Sequence, residues 1–232
     1  EGTGGGIART TLIDSRSGAI QVTGEGGTPA SSHGVFLSGS SDITSSDAVG
    51  AATITIMGTG GSGSAGAGMV VNDAGSTISS ITGAIDITAV GVGASDSGLL
   101  TTGGTIESTG AAMVTITGSA ANGDSLTFAN TEIGDSSGTG TITLTGDELV
   151  LSGTTVIDGQ GQLIIEPLVA GTTIGLGGGA GTLNLDDTEL GFLSDGFTAI
   201  TIGDATDGSG AIEVDSSTFS DDVTIIGGPI TV

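Results

Sequence analysis

Hydrophobic and polar residues alternate in short runs along nearly the whole chain. The runs include "GAIQVTG", "ATITIMG", "GAIDITA" and "AMVTITG", which begin at residues 18, 52, 83 and 112. A period of two places successive side chains on opposite faces of a β-strand. Each run therefore predicts a short strand with one buried face and one face in water.

The strands belong to a repeat. Each unit has a leading run, a second element such as "GVFL" (34–37) and a shorter third element such as "DIT" (42–44). Units are about 28–34 residues long up to residue 140 and about 17–23 residues long afterwards. The leading residues are Ile20, Ile54, Ile85, Val114, Ile142, Leu163, Leu183, Ile200 and Val223.

Three short strands per unit predict one coil of a parallel β-helix, with each strand paired to its counterparts in the coils above and below. The chain is accordingly predicted to be all-β, a single continuous β-solenoid over residues 1–232 with about nine coils. A soft subdivision near 138–140 separates longer coils with Gly-rich loops (1–140) from shorter coils (141–232). Stacked aliphatic side chains fill such a core without aromatic residues.

One segment departs from the strand pattern. In "LDDTELGFLSDGF" (185–197), Asp186 or Asp187 is suited to cap a helix that carries Glu189 in its first turn. Leu190 and Leu193 follow at helical spacing. We expect a short helical turn near 187–193, outside the strand ladder or covering one of its corners.

Composition and charge restrict the partners. The chain has 2 Lys and Arg residues against 26 Asp and Glu residues, a formal net charge of -24, and no cysteine. Nucleic acid and anionic membrane surfaces are therefore not expected partners, since both attract clustered basic residues. No apolar run is long enough to predict a membrane-spanning helix.

The segment "GDSSG" (134–138) matches the Gly-x-Ser-x-Gly pattern of serine hydrolases. A nucleophilic Ser136 would need a neighbouring base. The chain has a single histidine, His33, and no lysine. His33 lies in a loop position that the next two repeats fill with Ala67 and Ser97. We therefore interpret "GDSSG" as a turn between two strands and predict no catalytic residue.

Glycan and phosphate chemistry are also weakly supported. Asp187, Asp221 and Asp222 offer the paired carboxylates that glycan hydrolysis uses. The chain has no Trp or Tyr to form a sugar-binding platform. The Gly-rich stretch at 175–181 lacks the following Lys of a phosphate-binding loop. It is interpreted as a loop between stacked coils.

Calcium is the one cofactor for which the sequence offers candidate ligands. Asp204 and Asp207 share the loop "GDATDGSG" (203–210), which lacks the spacing and final Glu of an EF-hand. The stretch at 178–186 is similar to a Ca²⁺-binding β-roll repeat but has Leu183 where the ligand Asp belongs. No cofactor is predicted, with Asp204 and Asp207 kept as weak Ca²⁺ candidates.

An ice-binding surface is a further alternative, because a flat array of threonines on a solenoid can order water. Outward threonines are predicted in the middle of five strands, and polar or acidic residues interrupt the rows. The threonines are Thr55, Thr115, Thr143, Thr201 and Thr224, and the interruptions are Gln21, Asp86, Asn184 and Glu213.

The repeats themselves resemble those of very large secreted bacterial exoproteins. The block from "TITLTGDELVLSG" to "DGSGAIEV" (141–214) is similar to segments of filamentous-haemagglutinin-like proteins. This resemblance implies a right-handed parallel β-helix, export to the cell surface or medium, and a role as an adhesin, stalk or matrix component. It brings no catalytic residues with it.

From these observations we expect a non-enzymatic structural segment of a secreted or cell-surface adhesin or extracellular fibre. Neither "EGTGGGIART" at the start nor "VTIIGGPITV" at the finish has the charged character of a solenoid cap. The expected partners are therefore further repeats of the same chain or identical copies stacked head to tail. A cell-surface or matrix receptor is the other kind of partner considered.

Overall fold

A computed structural model describes residues 11–28, 32–50, 52–63, 66–93, 97–206 and 208–232. The described residues form 23 strands and one short helix. The first thirteen strands are β1 (Leu12–Ser15), β2 (Ile20–Glu25), β3 (Val35–Leu37), β4 (Asp42–Ser45), β5 (Ile54–Thr59), β6 (Met69–Val71), β7 (Thr77–Ser80), β8 (Ile85–Gly91), β9 (Leu99–Thr101), β10 (Thr105–Ser108), β11 (Val114–Ala120), β12 (Leu126–Ala129) and β13 (Glu132–Gly134).

The second half has ten strands and the helix. They are β14 (Ile142–Thr145), β15 (Leu149–Ser152), β16 (Val156–Asp158), β17 (Gln162–Glu166), β18 (Ile174–Gly177), β19 (Leu183–Asp186), α1 (Asp187–Leu190), β20 (Ala199–Ile202), β21 (Ile212–Val214), β22 (Val223–Ile225) and β23 (Ile230–Thr231).

All strand pairs are parallel, and the strands form four sheets. Sheet 1 has the order β2-β5-β8-β11-β14-β17-β20-β22, and sheet 2 has the order β3-β6-β9-β12-β15. Sheet 3 has the order β1-β4-β7-β10-β13-β16, and sheet 4 has the order β19-β18-β21-β23. Through β16 the chain visits sheets 3, 1 and 2 in turn. This stacking is the parallel β-solenoid that the repeat predicts.

Sheet 1 carries the leading residues in register. Ile54 pairs with Ile20 on one side and Ile85 on the other, and the column continues through Val114 and Ile142. A second inward column runs beside it two residues further along each strand, and both are buried from β5 to β20. The core is thus a set of parallel aliphatic columns, as the alternation predicts.

Leu183 is the one leading residue that the sequence assigned to the wrong column. Leu163 of β17 pairs with Ile200 of β20, so sheet 1 passes over Leu183 and has eight strands where about nine coils were predicted. Leu183 pairs with Ile174 in sheet 4. The two positions are only nine residues apart, because a short Gly-rich loop over 178–182 returns the chain beside the strand it has just left.

The alternation also fails at β6, where all three residues are buried. Val70 points outward by period but is only 3 % exposed. Its neighbours across sheet 2 are Phe36 and Leu100, so three apolar side chains stack on the outer face of this sheet. Val70, the middle member of this outer column, is the one that is buried.

The helical turn is confirmed. Helix α1 spans Asp187–Leu190, and Asp186 caps it by accepting a hydrogen bond from the Glu189 amide at 2.9 Å. The Glu189 carboxylate accepts from the Asp186 amide at 3.1 Å, which completes a capping box. Leu193 forms an isolated parallel bridge with Ile157, so the segment covers β16, the last strand of sheet 3.

The register of sheet 1 gives a first prediction. Ile85 is 1 % exposed and Asp86 is exposed, so Ile85→Asp buries an unpaired carboxylate and Asp86→Ala does not. We expect Ile85→Asp to lower the free energy of unfolding by about 3 kcal/mol or more and Asp86→Ala to change it by about 0.5 kcal/mol or less. Urea unfolding followed by circular dichroism measures both.

If Ile85→Asp does not fold, Ile85→Ala takes its place as the test variant. It is expected to cost about 2–5 kcal/mol through the cavity it leaves. Equal losses for the substitutions at 85 and 86 would contradict the register.

Candidate functional site

Ser136 lies in a tight turn between β13 and β14, as the sequence predicts. The Asp135 carboxylate accepts hydrogen bonds from the amide and the hydroxyl of Ser137, and the Ser136 carbonyl accepts one from Gln160 at 2.9 Å. These contacts shape the turn and tie it to the next coil.

His33 lies several coils away from Ser136, just before β3 at the other end of sheet 2. Its Nδ1 accepts a hydrogen bond from the Ala67 amide at 3.1 Å, and its ring stacks on Phe36 with centroids 5.4 Å apart. The histidine therefore joins two neighbouring coils, and the structure does not bring it to the serine turn.

The acidic candidates are dispersed. The Asp221 carboxylate accepts from the amides of Gly196 and Phe197, both at 3.2 Å, and Asp187 begins helix α1. Asp222 uses its backbone carbonyl to pair with Ile200. The Asp221 carboxylate therefore holds the turn that precedes β20 in place.

The calcium candidates are only partly described. Asp204 accepts a hydrogen bond from the Thr206 amide at 2.7 Å within its own turn. Asp207 lies outside the described residues. Among the residues that are described, no group of three or more His, Cys, Asp and Glu side chains is arranged to hold a metal ion.

The threonine row of sheet 1 is more regular than the sequence alone indicated. Asn184 and Glu213 were predicted to interrupt it, but both lie in sheet 4, where each is paired with Gly175. Ile164 takes the place in the row between Thr143 and Thr201. Gln21 and Asp86 interrupt the row as predicted.

The described parts of the loops after β2, β5, β8 and β11 stack into what we call the loop ridge. It comprises residues 26–28, 32–34, 60–63, 66–68, 92–93, 97–98 and 121–125. The loops pair from coil to coil: the Gly26 amide donates to Thr59 at 2.8 Å, and the Gly68 amide donates to Ser97 at 3.2 Å.

Glycine is required where the loop ridge returns to sheet 1. A Cβ on Gly58 would lie 2.1 Å from the backbone oxygen of Gly68. Such contact is sterically impossible, so only a glycine lets the returning loop pack directly on the strand. The Gly-rich composition of the first half thus builds a ladder of loops beside the core.

Asp73 is the polar residue that joins two coils most extensively. Its carboxylate accepts hydrogen bonds from the amides of Gly39, Ser40 and Gly75 and from the Ser76 hydroxyl. Burial acts to raise the Asp73 pKa, but these hydrogen bonds together hold the pKa below its ordinary value. Sequence reasoning missed this residue, because nothing in the repeat distinguishes it from other turn aspartates.

Inward hydroxyls form ladders at the corners of the coils. Ser15, Ser45 and Ser80 occupy one register position at the end of sheet 3 and accept the amides of Gly18, Ala52 and Gly83 at 3.0, 3.0 and 2.8 Å. At another corner, the Ser76 hydroxyl accepts the Ser41 amide at 3.2 Å. The serines that end β4, β7 and β10 were a visible signal for the first ladder.

Glu189 closes the exposed edge of sheet 2. β15 is the last strand of that sheet, and β19 lies against it without entering its ladder. The Leu151 amide of β15 donates to the Glu189 carboxylate at 3.0 Å. The carboxylate therefore supplies the acceptor that another strand would have provided. Burial raises the Glu189 pKa, opposed by the two backbone hydrogen bonds and assisted by the charge of Asp186.

No helix among the described residues has the length and apolarity to span a membrane. Comparison with known proteins finds no match to this chain among protein-family models, curated proteins or solved structures.

The Asp73 contacts give a second prediction. Asp73→Ala removes the acceptor for groups in two coils, whereas the Asp47 carboxylate accepts the Val49 amide within its own turn, at 3.1 Å. We expect Asp73→Ala to lower the free energy of unfolding by about 1–3 kcal/mol and Asp47→Ala to lower it by less than about 1 kcal/mol. Chemical denaturation of both variants tests this; a larger loss for the Asp47 variant would refute it.

The third prediction concerns pH. Burial raises the pKa of Glu107, with help from the charges of Asp135 and Glu132, and burial also raises the pKa of Glu148 and Glu189. The folded chain therefore binds these protons more readily than the unfolded chain. Stability from this source is complete below the ordinary glutamate pKa of 4.5 and is lost as pH rises through the raised values.

Asp73 acts in the opposite direction. Its lowered pKa stabilises the fold above the ordinary value of 3.8, and that stability is lost as pH falls through the lowered pKa. Urea midpoints should therefore rise as pH falls towards 4.5 and fall again as pH drops below 3.8. Glu107→Gln should reduce the rise, with Asp86→Asn as the exposed control. A midpoint that falls steadily from pH 7 to pH 5 would contradict the prediction.

Proposed function

We propose that this chain is a non-enzymatic structural segment of a secreted or cell-surface adhesin or extracellular fibre. The observation that carries the proposal is sheet 1, whose eight parallel strands pair in register without a break. At about 4.8 Å per strand the sheet measures about 34 Å along the stack. A body built this way resists extension, because tension along the axis is shared at each level by all the ladder hydrogen bonds that join two adjacent coils.

Two further observations support an extracellular role. The repeats resemble those of filamentous-haemagglutinin-like exoproteins, which use stacked coils as stalks and adhesive surfaces. The net charge of -24 also suits a long body that stays dispersed in solution. In this proposal the loop ridge presents the variable surface, and the columns of sheet 1 hold it at a fixed spacing.

The proposal places further coils of the same kind, or identical copies, against the outer strands of the sheets. Within the described residues, β2 and β22 are the outer strands of sheet 1. The residues on either side of β22 bond to β20: the Ile226 amide donates to the Ile202 carbonyl, and the Asp222 carbonyl accepts from the Ile200 amide. Since amides alternate in direction along a strand, the Val223 amide faces away from β20. It is free to pair with the next coil, head to tail.

Exposure on intact cells tests the location. Antibodies raised against the 232-residue chain should label intact cells of the producing organism or filaments released from them. Labelling that requires permeabilised cells would refute the extracellular proposal.

The assembly gives the fourth prediction. Light scattering of the 232-residue chain over a concentration series should show mass growing with concentration. Val223→Pro removes the outward amide while leaving the bonds to β20, and it should reduce the mass towards that of a monomer. Val223→Ala keeps the amide and should still assemble. A wild-type chain that stays monomeric at every concentration would overturn the stacking proposal.

Ice binding is a second candidate function, because the register of sheet 1 aligns threonines of neighbouring strands. Thr115 and Thr117 lie beside Thr143 and Thr145 in neighbouring strands, so two threonine columns run side by side on the outer face. Thermal hysteresis of the purified chain decides the matter. Hysteresis that is lost in Thr115→Leu but kept in Asp86→Ala would favour this candidate over the structural one.

A further inference from the structure

The inward serine ladder at the end of sheet 3 has a fourth member that differs from the others. Ser108 pairs with Ser80 in register and is only 5 % exposed. Ser15, Ser45 and Ser80 each accept an amide from the following turn. Within the described part of the chain, the Ser108 hydroxyl is the one buried side-chain oxygen or nitrogen that has no hydrogen-bond partner.

The ladder stops at Ser108 because the next coil changes course. Gly134 is the last residue of β13 and has a φ of 88°, a conformation that L-residues rarely adopt. The pairing between β10 and β13 ends one residue earlier, at Ile106 and Ile133. The chain then enters the "GDSSG" turn at Asp135, so no hydroxyl from the coil of β13 stacks on Ser108.

A small cavity lies at this place. Ser108, Gly134 and Asp158 line it, together with the apolar side chains of Val114 and Ile142. The cavity has a volume of about 10 Å³, which is close to the minimum that holds one water molecule. A buried hydroxyl beside a site of this size satisfies its hydrogen bond through water far more cheaply than by remaining unpaired.

We infer that this cavity is a binding site for one structural water molecule, held by the Ser108 hydroxyl and an oxygen of Asp158. Asp158 is paired with Gly134 across sheet 3, and a Cβ on Gly134 would lie 2.0 Å from its backbone oxygen. The water takes the position that a serine hydroxyl of the next coil would occupy. It continues the polar ladder across residues 138–140, where the longer coils give way to the shorter ones.

The ligand is water because the geometry suits it. The lining offers one free hydroxyl, and the Asp135 carboxylate is already engaged by Ser137. A calcium ion takes about six to eight oxygen ligands, and the described residues hold no cluster of three carboxylates or imidazoles suited to a metal. The walls are mostly apolar and supply only a few polar groups. Two or three hydrogen bonds are enough for a buried water molecule.

Water-selective nuclear Overhauser spectroscopy of the 232-residue chain tests the inference. The δ-methyl group of Ile142 and the methyl groups of Val114 should show cross-peaks to a long-lived water. Ser108→Ala should remove these cross-peaks. Ser80→Ala, one coil away in the same ladder, should keep them and serves as the matched control.

Two outcomes would overturn the inference: the cross-peaks are absent from the wild-type chain, or they persist in Ser108→Ala. If they are absent and added Na⁺ or Ca²⁺ raises the melting temperature of the wild-type chain but not that of Ser108→Ala, the site belongs to a cation. If Ser108→Ala does not fold, a high-resolution crystal structure of the wild-type chain decides by the density between Ser108 and Asp158.

Discussion

The parallel ladder of sheet 1 is the interaction on which the rest of this structure depends. Each strand of sheet 1 makes its ladder hydrogen bonds with its counterparts in the neighbouring coils, so the sheet exists only when the coils are stacked. The same pairing stacks isoleucine on isoleucine and sets the height of every corner and loop. The serine ladders, the Asp73 contacts and the loop ridge all exist because adjacent coils are held one strand spacing apart.

Much of this fold is readable from the sequence, because period two and a regular repeat leave few alternatives. The alternation placed Ile54 and Ile85 in one column, and the register confirms it. The capping pattern at Asp186 and Glu189 likewise predicted helix α1. These features depend on residues close in sequence or on residue types that recur at a fixed offset.

The errors arise where the chain keeps the local pattern and changes the long-range pairing. "TLNL" at 182–185 alternates like any leading run, yet Leu183 pairs in sheet 4, because the loop before it is too short to complete a coil. The contacts of Asp73 and Glu189 could not be predicted from the sequence for a related reason. Their partners, Gly39 and Leu151, lie more than thirty residues away and are backbone amides that no side-chain pattern marks.

The order of strands in sheet 4 has a consequence for how the stack finds its alignment. β19 follows β18 in the chain but occupies the outer position of sheet 4, beside β15. In a uniform repeat, any coil can be exchanged for its neighbour, and the whole stack can slip by one step with little change in contacts. β19 turns back towards the coil of β15 and so makes its own coil different from the others. Only one alignment of the stack has a place for this strand. The reversed order of β18 and β19 therefore fixes the alignment of the whole stack.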